Sequence, residues 1–102
     1  RALARWVRRT APTPPWAGAG IALNAIGPGV IRTPMIQHLL DDPASVEMLS
    51  AGAPMPFGGH AEPEHVAPVL AFLTSPENTL VTGQVLFTDG GAEAVIRGDD
   101  IW

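Results

Sequence analysis

The stretch NAIGPGVIRTPM, residues 24–35, decides the fold because an apolar run ends there at a Pro-Gly turn. The run begins as IALNAI at residues 21–26, which has the length of a strand buried on both faces. Pro28 lacks a backbone donor and has a fixed φ, and Gly29 carries no side chain. We therefore expect a strand over residues 21–26 that stops at a sharp turn.

The segments on either side of this strand predict helices. RALARWVRRT, residues 1–10, spaces Leu3, Trp6 and Val7 as on one face of a helix. After the turn, residues 35–40 and 44–50 predict two short helices, followed by a loop rich in proline and glycine. AEPEHVAPVLAFLTS, residues 61–75, predicts a longer helix that begins at Pro63.

A second strand is predicted at residues 84–88, where QVLFT lies between Gly83 and the Asp89-Gly90-Gly91 turn. The predicted order is a strand, a long segment that contains helices, and a second strand, which is the order of a βαβ unit. We therefore predict an α/β fold in which the two strands are parallel and joined by a right-handed crossover.

Composition narrows the classes of function. The chain has 102 residues, 46% hydrophobic and 16% charged, which is typical of one globular domain or part of a larger one. The net charge of −4 argues against nucleic acid and anionic membranes as partners. Without cysteine there is no disulfide framework or thiolate site, and a cytoplasmic location fits. Because the chain starts with Arg1, we expect a further segment upstream.

The turn after the first strand is the candidate binding site. In parallel α/β sheets, ligands bind beyond the carboxyl ends of the strands. Ile31 can present its backbone N–H and C=O to a planar carboxamide there, and the Thr33 hydroxyl adds a donor or an acceptor. The alternative is a plain Pro-Gly turn without a ligand.

Three segments in this order and spacing, NAIGPGVIRTPM, AEPEHVAPVLAFLTS and TGQVLFTDGG, resemble the C-terminal third of the short-chain dehydrogenase/reductase family. TPMIQHLLDDP and DGGAEAVIR are similar in pattern to its 3α-hydroxysteroid dehydrogenase/carbonyl reductase subgroup. The resemblance implies a Rossmann-type, doubly wound parallel sheet. Residues 1–102 would form the C-terminal portion of that single domain and contain its last two strands.

The resemblance also implies a cofactor, NAD or NADP, and assigns residues to it. Pro28 and Gly29 would form the turn beneath the nicotinamide, and the Ile31 backbone would hold its carboxamide. Thr33 would support the carboxamide or the pyrophosphate. Residues 35–59 match the family's substrate-binding loop and lid. Candidate substrate contacts in that segment are Met35, Met55 and Phe57, with ordinary core packing as the alternative.

The family's catalytic Ser and its Tyr-x-x-x-Lys belong upstream of Arg1, and this chain contains no tyrosine or lysine. We therefore expect no catalytic residue in these 102 residues and no activity of the isolated chain. The implied function is the C-terminal part of an NAD(P)-dependent oxidoreductase that interconverts a carbonyl and an alcohol, with a steroid or other apolar ketone as substrate. Because the preceding strand is absent, we expect an unpaired edge at residues 21–25 and a homo-oligomer. The alternative is a non-catalytic assembly module.

Three other patterns have alternative interpretations. HAEPEH, residues 60–65, lacks the His-Glu-x-x-His spacing of a zinc site, so no metal is expected. Ser45 or Ser50, with His38 and Asp41, supplies the residue types of a hydrolase triad, but without a Gly-x-Ser-x-Gly elbow. The terminal GDDIW is interpreted as a solvated tail, with Trp102 docked on a partner subunit as the alternative.

Overall fold

The computed structural model describes residues 1–100, so the predicted role of Trp102 lies outside the described residues. The two strands and the helices follow the predicted α/β order. In chain order they are α1 (Ala2–Thr10), a 3₁₀ turn (Ala17–Ala19), β1 (Ala25–Pro28), α2 (Gln37–Leu40), α3 (Pro43–Gly52), α4 (Pro63–Leu73), β2 (Val85–Thr88) and α5 (Ala92–Arg97).

Strands β1 and β2 pair in a two-stranded sheet. The Ala25 N–H donates to the Gln84 carbonyl at 2.9 Å, and the Gly29 N–H donates to the Thr88 carbonyl at 3.2 Å. The residue numbers of the bonded partners increase in the same direction along both strands, so the pairing is parallel, as predicted. The right-handed crossover stays a prediction.

The predicted limits of the first strand are wrong. The strand begins at Ala25 and includes Pro28, whereas residues 21–24 are irregular. Pro28 is tolerated because the alternation along the strand directs its nitrogen away from β2. The residues of β1 are half-buried and Pro28 is exposed, so burial on both faces is also wrong. The described sheet has only two strands, which leaves one edge of β1 unpaired within residues 1–100.

Asn24 explains why the ladder starts late. Its side-chain oxygen accepts the Gln84 N–H at 3.0 Å, and its amide nitrogen donates to the Val81 carbonyl at 2.9 Å. One residue earlier, the Leu23 N–H donates to the Thr82 hydroxyl at 3.0 Å. Before β1, these side-chain bonds supplement one backbone bond, in which the Gly83 N–H donates to the Leu23 carbonyl at 2.8 Å, so Asn24 has a structural role.

The chain divides into two compact units, of which the first comprises Arg1–Gly27 and Pro68–Leu86. Its core contains Val7 from α1 and Ala11, both fully buried. Leu3 is exposed, so α1 buries only part of its predicted apolar face. Trp6 instead packs edge-on against Trp16, with ring centroids 6.3 Å apart.

The second unit comprises Pro28–Ala67 and residues 87–100. Val30, Val66 and Ala92 are its buried apolar residues. The short helices predicted after the turn are confirmed as α2 and α3, which pack against each other. Neither helix has a buried residue, so this segment lies at the surface of the unit.

Helix α4 begins at Pro63, as predicted, because proline suits the first helical turn. Pro68 lies inside the helix. Within residues 1–100, no helix has the length and apolar character needed to cross a bilayer.

Candidate functional site

The turn after β1 packs directly on the end of β2. A Cβ added to Gly29 would lie 2.9 Å from the Asp89 Cα and 3.0 Å from the Met55 sulfur. The first separation is shorter than real Cβ contacts and the second is tighter than most of them, so a side chain here would require movement. Glycine was predicted here to let a ligand approach, and the structure adds a packing reason that depends on residues distant in sequence.

Met55 supports the turn from the other side. Its sulfur accepts the Val30 N–H at 3.3 Å, and its Cβ would lie 3.1 Å from a Cβ on Gly90. Met55 is half-buried between these two backbone segments. Among the three candidate substrate contacts, it is therefore the one that the structure brings to the turn.

Ile31 forms a parallel bridge with Ala61 that leaves its own backbone groups free. The Ala61 N–H donates to the Val30 carbonyl at 3.0 Å, and the Arg32 N–H donates to the Ala61 carbonyl at 2.7 Å. In such a bridge the central residue directs its N–H and C=O to the opposite side. Within residues 1–100, no hydrogen bond uses either group of Ile31.

Thr33 places a hydroxyl two residues beyond this donor-acceptor pair. Its carbonyl accepts the Ile36 N–H at 3.1 Å, which begins the turn into α2. Its side chain is half-buried, and its hydroxyl has no hydrogen-bond partner in the part of the chain that the structure describes. A carboxamide has one acceptor oxygen and an NH₂ donor, which the Ile31 backbone and this hydroxyl match chemically.

Arg32, between these residues, is already paired. Its Nε lies 3.0 Å from Glu62 Oε1, and both side chains are partly exposed. Such a pair contributes little stability, on the order of 0–1 kcal/mol. It does neutralise the positive charge beside the turn. The sequence analysis missed this pair because its residues are 30 positions apart without a local signal.

Asp89 is a second residue that the sequence analysis missed. It is 7% exposed, and its two carboxylate oxygens accept the Gly91 N–H at 3.1 Å and the Glu93 N–H at 2.7 Å. These bonds cap the start of α5. The available signal was an aspartate followed by two glycines and a helical segment, which is typical of a capped helix start.

The other two candidate substrate contacts lie at the surface. Met35 is 80% exposed and Phe57 is 87% exposed, so neither belongs to a core. Phe57 is anchored through its backbone, because its N–H donates to the Gly90 carbonyl at 2.9 Å. Its ring remains in solvent.

The histidines form local pairs. His60 Nε2 lies 3.3 Å from Ser50 Oγ, and His65 Nδ1 accepts the Glu62 N–H at 2.9 Å. Ser50 therefore does not form the hydrolase triad with His38 and Asp41 that the sequence left open. Within residues 1–100, no three histidine or acidic side chains are grouped to hold a metal ion.

The family model described as "Enoyl-(Acyl carrier protein) reductase" matches residues 1–93. The 3-alpha-hydroxysteroid dehydrogenase/carbonyl reductase of Comamonas testosteroni is 44% identical over 82 residues. That match covers 80% of this chain and 32% of the relative. The chain therefore spans about a third of the length of the curated relatives it matches.

Two solved structures show the same fold. A 3-alpha-hydroxysteroid dehydrogenase from Pseudomonas sp. B-0831, complexed with NADH, is 36% identical with a TM-score of 0.78 and covers 98% of this chain and 38% of its own. A proposed 2-deoxy-D-gluconate 3-dehydrogenase from Agrobacterium tumefaciens, with bound NADP, is 33% identical with a TM-score of 0.76. That match covers 90% of this chain and 36% of the solved chain.

These matches confirm the Rossmann-type fold and the likeness to the 3α-hydroxysteroid dehydrogenase/carbonyl reductase subgroup. They also confirm the cofactor class, since the relatives hold NADH or NADP. With residues 1–93 matched, the chain belongs to the NAD(P)-dependent short-chain dehydrogenase/reductase family.

Proposed function

We propose that this chain is the C-terminal part of an NAD(P)-dependent oxidoreductase that interconverts a carbonyl and an alcohol. One observation carries the proposal: Ile31 has a free backbone N–H and C=O on a turn that is fixed on both sides. Gly29 is held on β2, and Ala61 bridges Ile31. A site fixed before binding orients a ligand with little loss of entropy on binding.

Pro28, Gly29, Ile31 and Thr33 would hold the cofactor. The first two shape the turn, the Ile31 backbone faces the carboxamide, and the Thr33 hydroxyl supplies a further hydrogen bond. A carboxamide is neutral, and the free polar groups of this turn are neutral as well. The charge of the adjacent Arg32 is already balanced by Glu62. When bound, the nicotinamide supplies the hydride that is exchanged with the substrate carbon.

Residues 35–59 would contact the substrate and close over it. Met35 and Phe57 offer exposed apolar surface, and Met55 offers its sulfur beside the turn. A steroid or another apolar ketone suits these side chains, because methionine adapts to irregular apolar shapes. The absence of buried residues in α2 and α3 favours movement of this segment.

Proton transfer to the substrate oxygen would come from the rest of the enzyme. Among the 102 residues there is no tyrosine or lysine to serve as the acid, so the isolated chain would be inactive. A cytoplasmic location is proposed from the lack of cysteine.

We propose that the isolated chain forms homo-oligomers, because the edge of β1 that a preceding strand would cover in the complete enzyme is unpaired within residues 1–100, and Ile21 beside it is 50% exposed. Light scattering on the isolated chain should report more than one chain per particle. A stable monomer would contradict the argument from the exposed edge.

The direct test uses the complete protein with NADH or NADPH and a panel of apolar ketones. We expect the absorbance of the reduced nicotinamide to fall only when a ketone is present. If the protein binds the cofactor but none of the ketones causes the cofactor to be oxidised, the proposed reaction is contradicted. The isolated chain of 102 residues is the inactive control.

A further inference from the structure

A cavity of about 460 Å³ lies in the second unit, between α3, residues 54–60 and α5. Its volume is within the usual range for a small-molecule site, roughly 300–1,000 Å³. Most of its lining is apolar. The lining residues are Val46, Ser50, Pro54, Met55, Pro56, Gly59, His60 and Val95.

The polar lining of this cavity is one hydrogen-bonded pair, Ser50 and His60. Ser50 Oγ and His60 Nε2 lie 3.3 Å apart. If the imidazole donates, the serine hydroxyl is free to donate to a ligand, and if the hydroxyl donates, its oxygen can still accept. The pair can therefore recognise either a carbonyl or a hydroxyl oxygen.

Among residues 1–100, no carboxylate or guanidinium group lines the cavity, which is open to solvent. A ligand anion or ammonium group would lose part of its hydration there without gaining a fixed opposite charge. A neutral oxygen loses less and gains a partner. The chemistry of the lining therefore selects an apolar body that carries a neutral polar group.

Met55 links this cavity to the turn that we assign to the cofactor. Its side chain lines the cavity, while its sulfur accepts the Val30 N–H and lies 3.0 Å from a Cβ position on Gly29. The same residue thus forms the wall of the cavity and the support of the turn. The cavity and the turn are therefore neighbours, since Met55 borders both.

We propose that Ser50 and His60 recognise a second, neutral oxygen on the substrate, separated from the reacting carbonyl by an apolar body. The proposal rests on the function proposed above and adds a substrate class to it: ketones that carry a remote hydroxyl or carbonyl group. Ser50 and His60 are specificity-determining residues in this assignment and take no part in hydride or proton transfer.

The test compares matched ketones in the complete enzyme. The short pair is cyclohexanone and 4-hydroxycyclohexanone, and the long pair is a saturated 3-ketosteroid without and with a 17-hydroxyl group. In at least one pair, we expect the wild type to favour the hydroxylated ketone in kcat/KM by about 3- to 10-fold, the factor that corresponds to one hydrogen bond. The preference should appear mainly in KM, because a remote contact binds ground and transition states alike.

Two variants and a matched control show whether the preference for the hydroxylated ketone depends on Ser50 and His60. His60→Phe keeps an aromatic ring but removes both nitrogens, and Ser50→Ala removes the hydroxyl from an exposed helix position with little risk to folding. Ser50→Ala should bring the ratio to about 1, the loss expected when one hydrogen bond is removed, and His60→Phe should lower the ratio, because the serine hydroxyl loses the partner that orients it. His65→Phe, outside the cavity, should leave the ratio unchanged. Unchanged ratios in both cavity variants, for both pairs of ketones, would overturn the proposal.

Binding without turnover separates this proposal from the proposed reaction. In proton NMR, the imidazole signal that disappears in His60→Phe is assigned to His60. We expect 4-hydroxycyclohexanone to shift this signal more than cyclohexanone does, in the absence of cofactor. Such a shift in a complete protein that reduces no ketone with NADH or NADPH would overturn the proposed reaction and leave the binding site standing. Equal effects of the two compounds would count against the recognition of the second oxygen.

Discussion

The backbone of Asp89 occupies the space into which a side chain on Gly29 would project, with the Asp89 Cα 2.9 Å from the ideal Cβ position. The two residues follow β1 and β2 respectively, and parallel pairing brings them together. The turn assigned to the cofactor and the cap of α5 therefore share one packing contact.

Gly29→Ala should lower the free energy of unfolding by about 1–3 kcal/mol, because the added methyl group meets backbone that cannot rotate away. Gly52→Ala is the control, since a Cβ there meets nothing within 4 Å and the residue ends α3. Alanine should be neutral or stabilising at that position, by up to about 1 kcal/mol. Chemical denaturation measures both, and equal stability of the two variants would contradict the close packing of the turn.

Thr88→Val should stabilise the protein by about 1 kcal/mol. The Thr88 hydroxyl oxygen is buried and has no hydrogen-bond partner within residues 1–100, so valine of similar shape removes a desolvation penalty. Thr82→Val is the contrasting case, because the Thr82 hydroxyl accepts the Leu23 N–H. It should lose about 0.5–1.5 kcal/mol. Midpoints of urea unfolding should therefore move in opposite directions, and a destabilised Thr88→Val would refute the assignment of an unsatisfied hydroxyl.

Thr33→Ala should weaken cofactor binding in the complete enzyme by about 0.5–1.5 kcal/mol, the net worth of one hydrogen bond. Ile31→Val should change little, since the proposed Ile31 contacts come from the backbone. Titration of NADH fluorescence measures both affinities. An unchanged affinity in Thr33→Ala would remove this residue from the site.

Amides of residues 35–59 should exchange with solvent faster than those of β2. Helices α2 and α3 contain no buried residue, and Met48 in α3 is largely exposed, so few contacts oppose local opening. Hydrogen exchange read by mass spectrometry or NMR compares the two regions. Protection of residues 35–59 equal to that of Val85–Thr88 would contradict a segment that opens and closes.

Local sequence patterns predicted α1 to α4 and the second strand closely, whereas α5 was not predicted. Pro63 begins α4 where expected, and β2 lies within one residue of its predicted start, because both depend on φ restrictions and on the spacing of nearby side chains. The order of these elements was also sufficient to predict a parallel α/β fold, since that order leaves few topologies. The pattern around Pro28 likewise located the candidate turn.

The start of β1 was predicted wrongly for a tertiary reason. Asn24 takes the Gln84 N–H with its side chain, and its partner lies 60 positions away. The alternation of apolar and polar residues and the positions of turn residues do not show where a side chain takes the place of the backbone as a hydrogen-bond partner. The apolar residues at 21–23 therefore resembled a strand, although the ladder begins after them.

The chemistry of the site was determined in part by sequence and in part by the fold. The residue types of the turn, and the absence of tyrosine, lysine and cysteine, belong to the sequence alone. The tertiary structure alone determined three features. It keeps the N–H and C=O of Ile31 free, it brings the Met55 sulfur to the Val30 N–H, and it pairs Ser50 with His60. Each depends on two segments packed side by side, and packing between distant segments is set by the whole chain rather than by local preference.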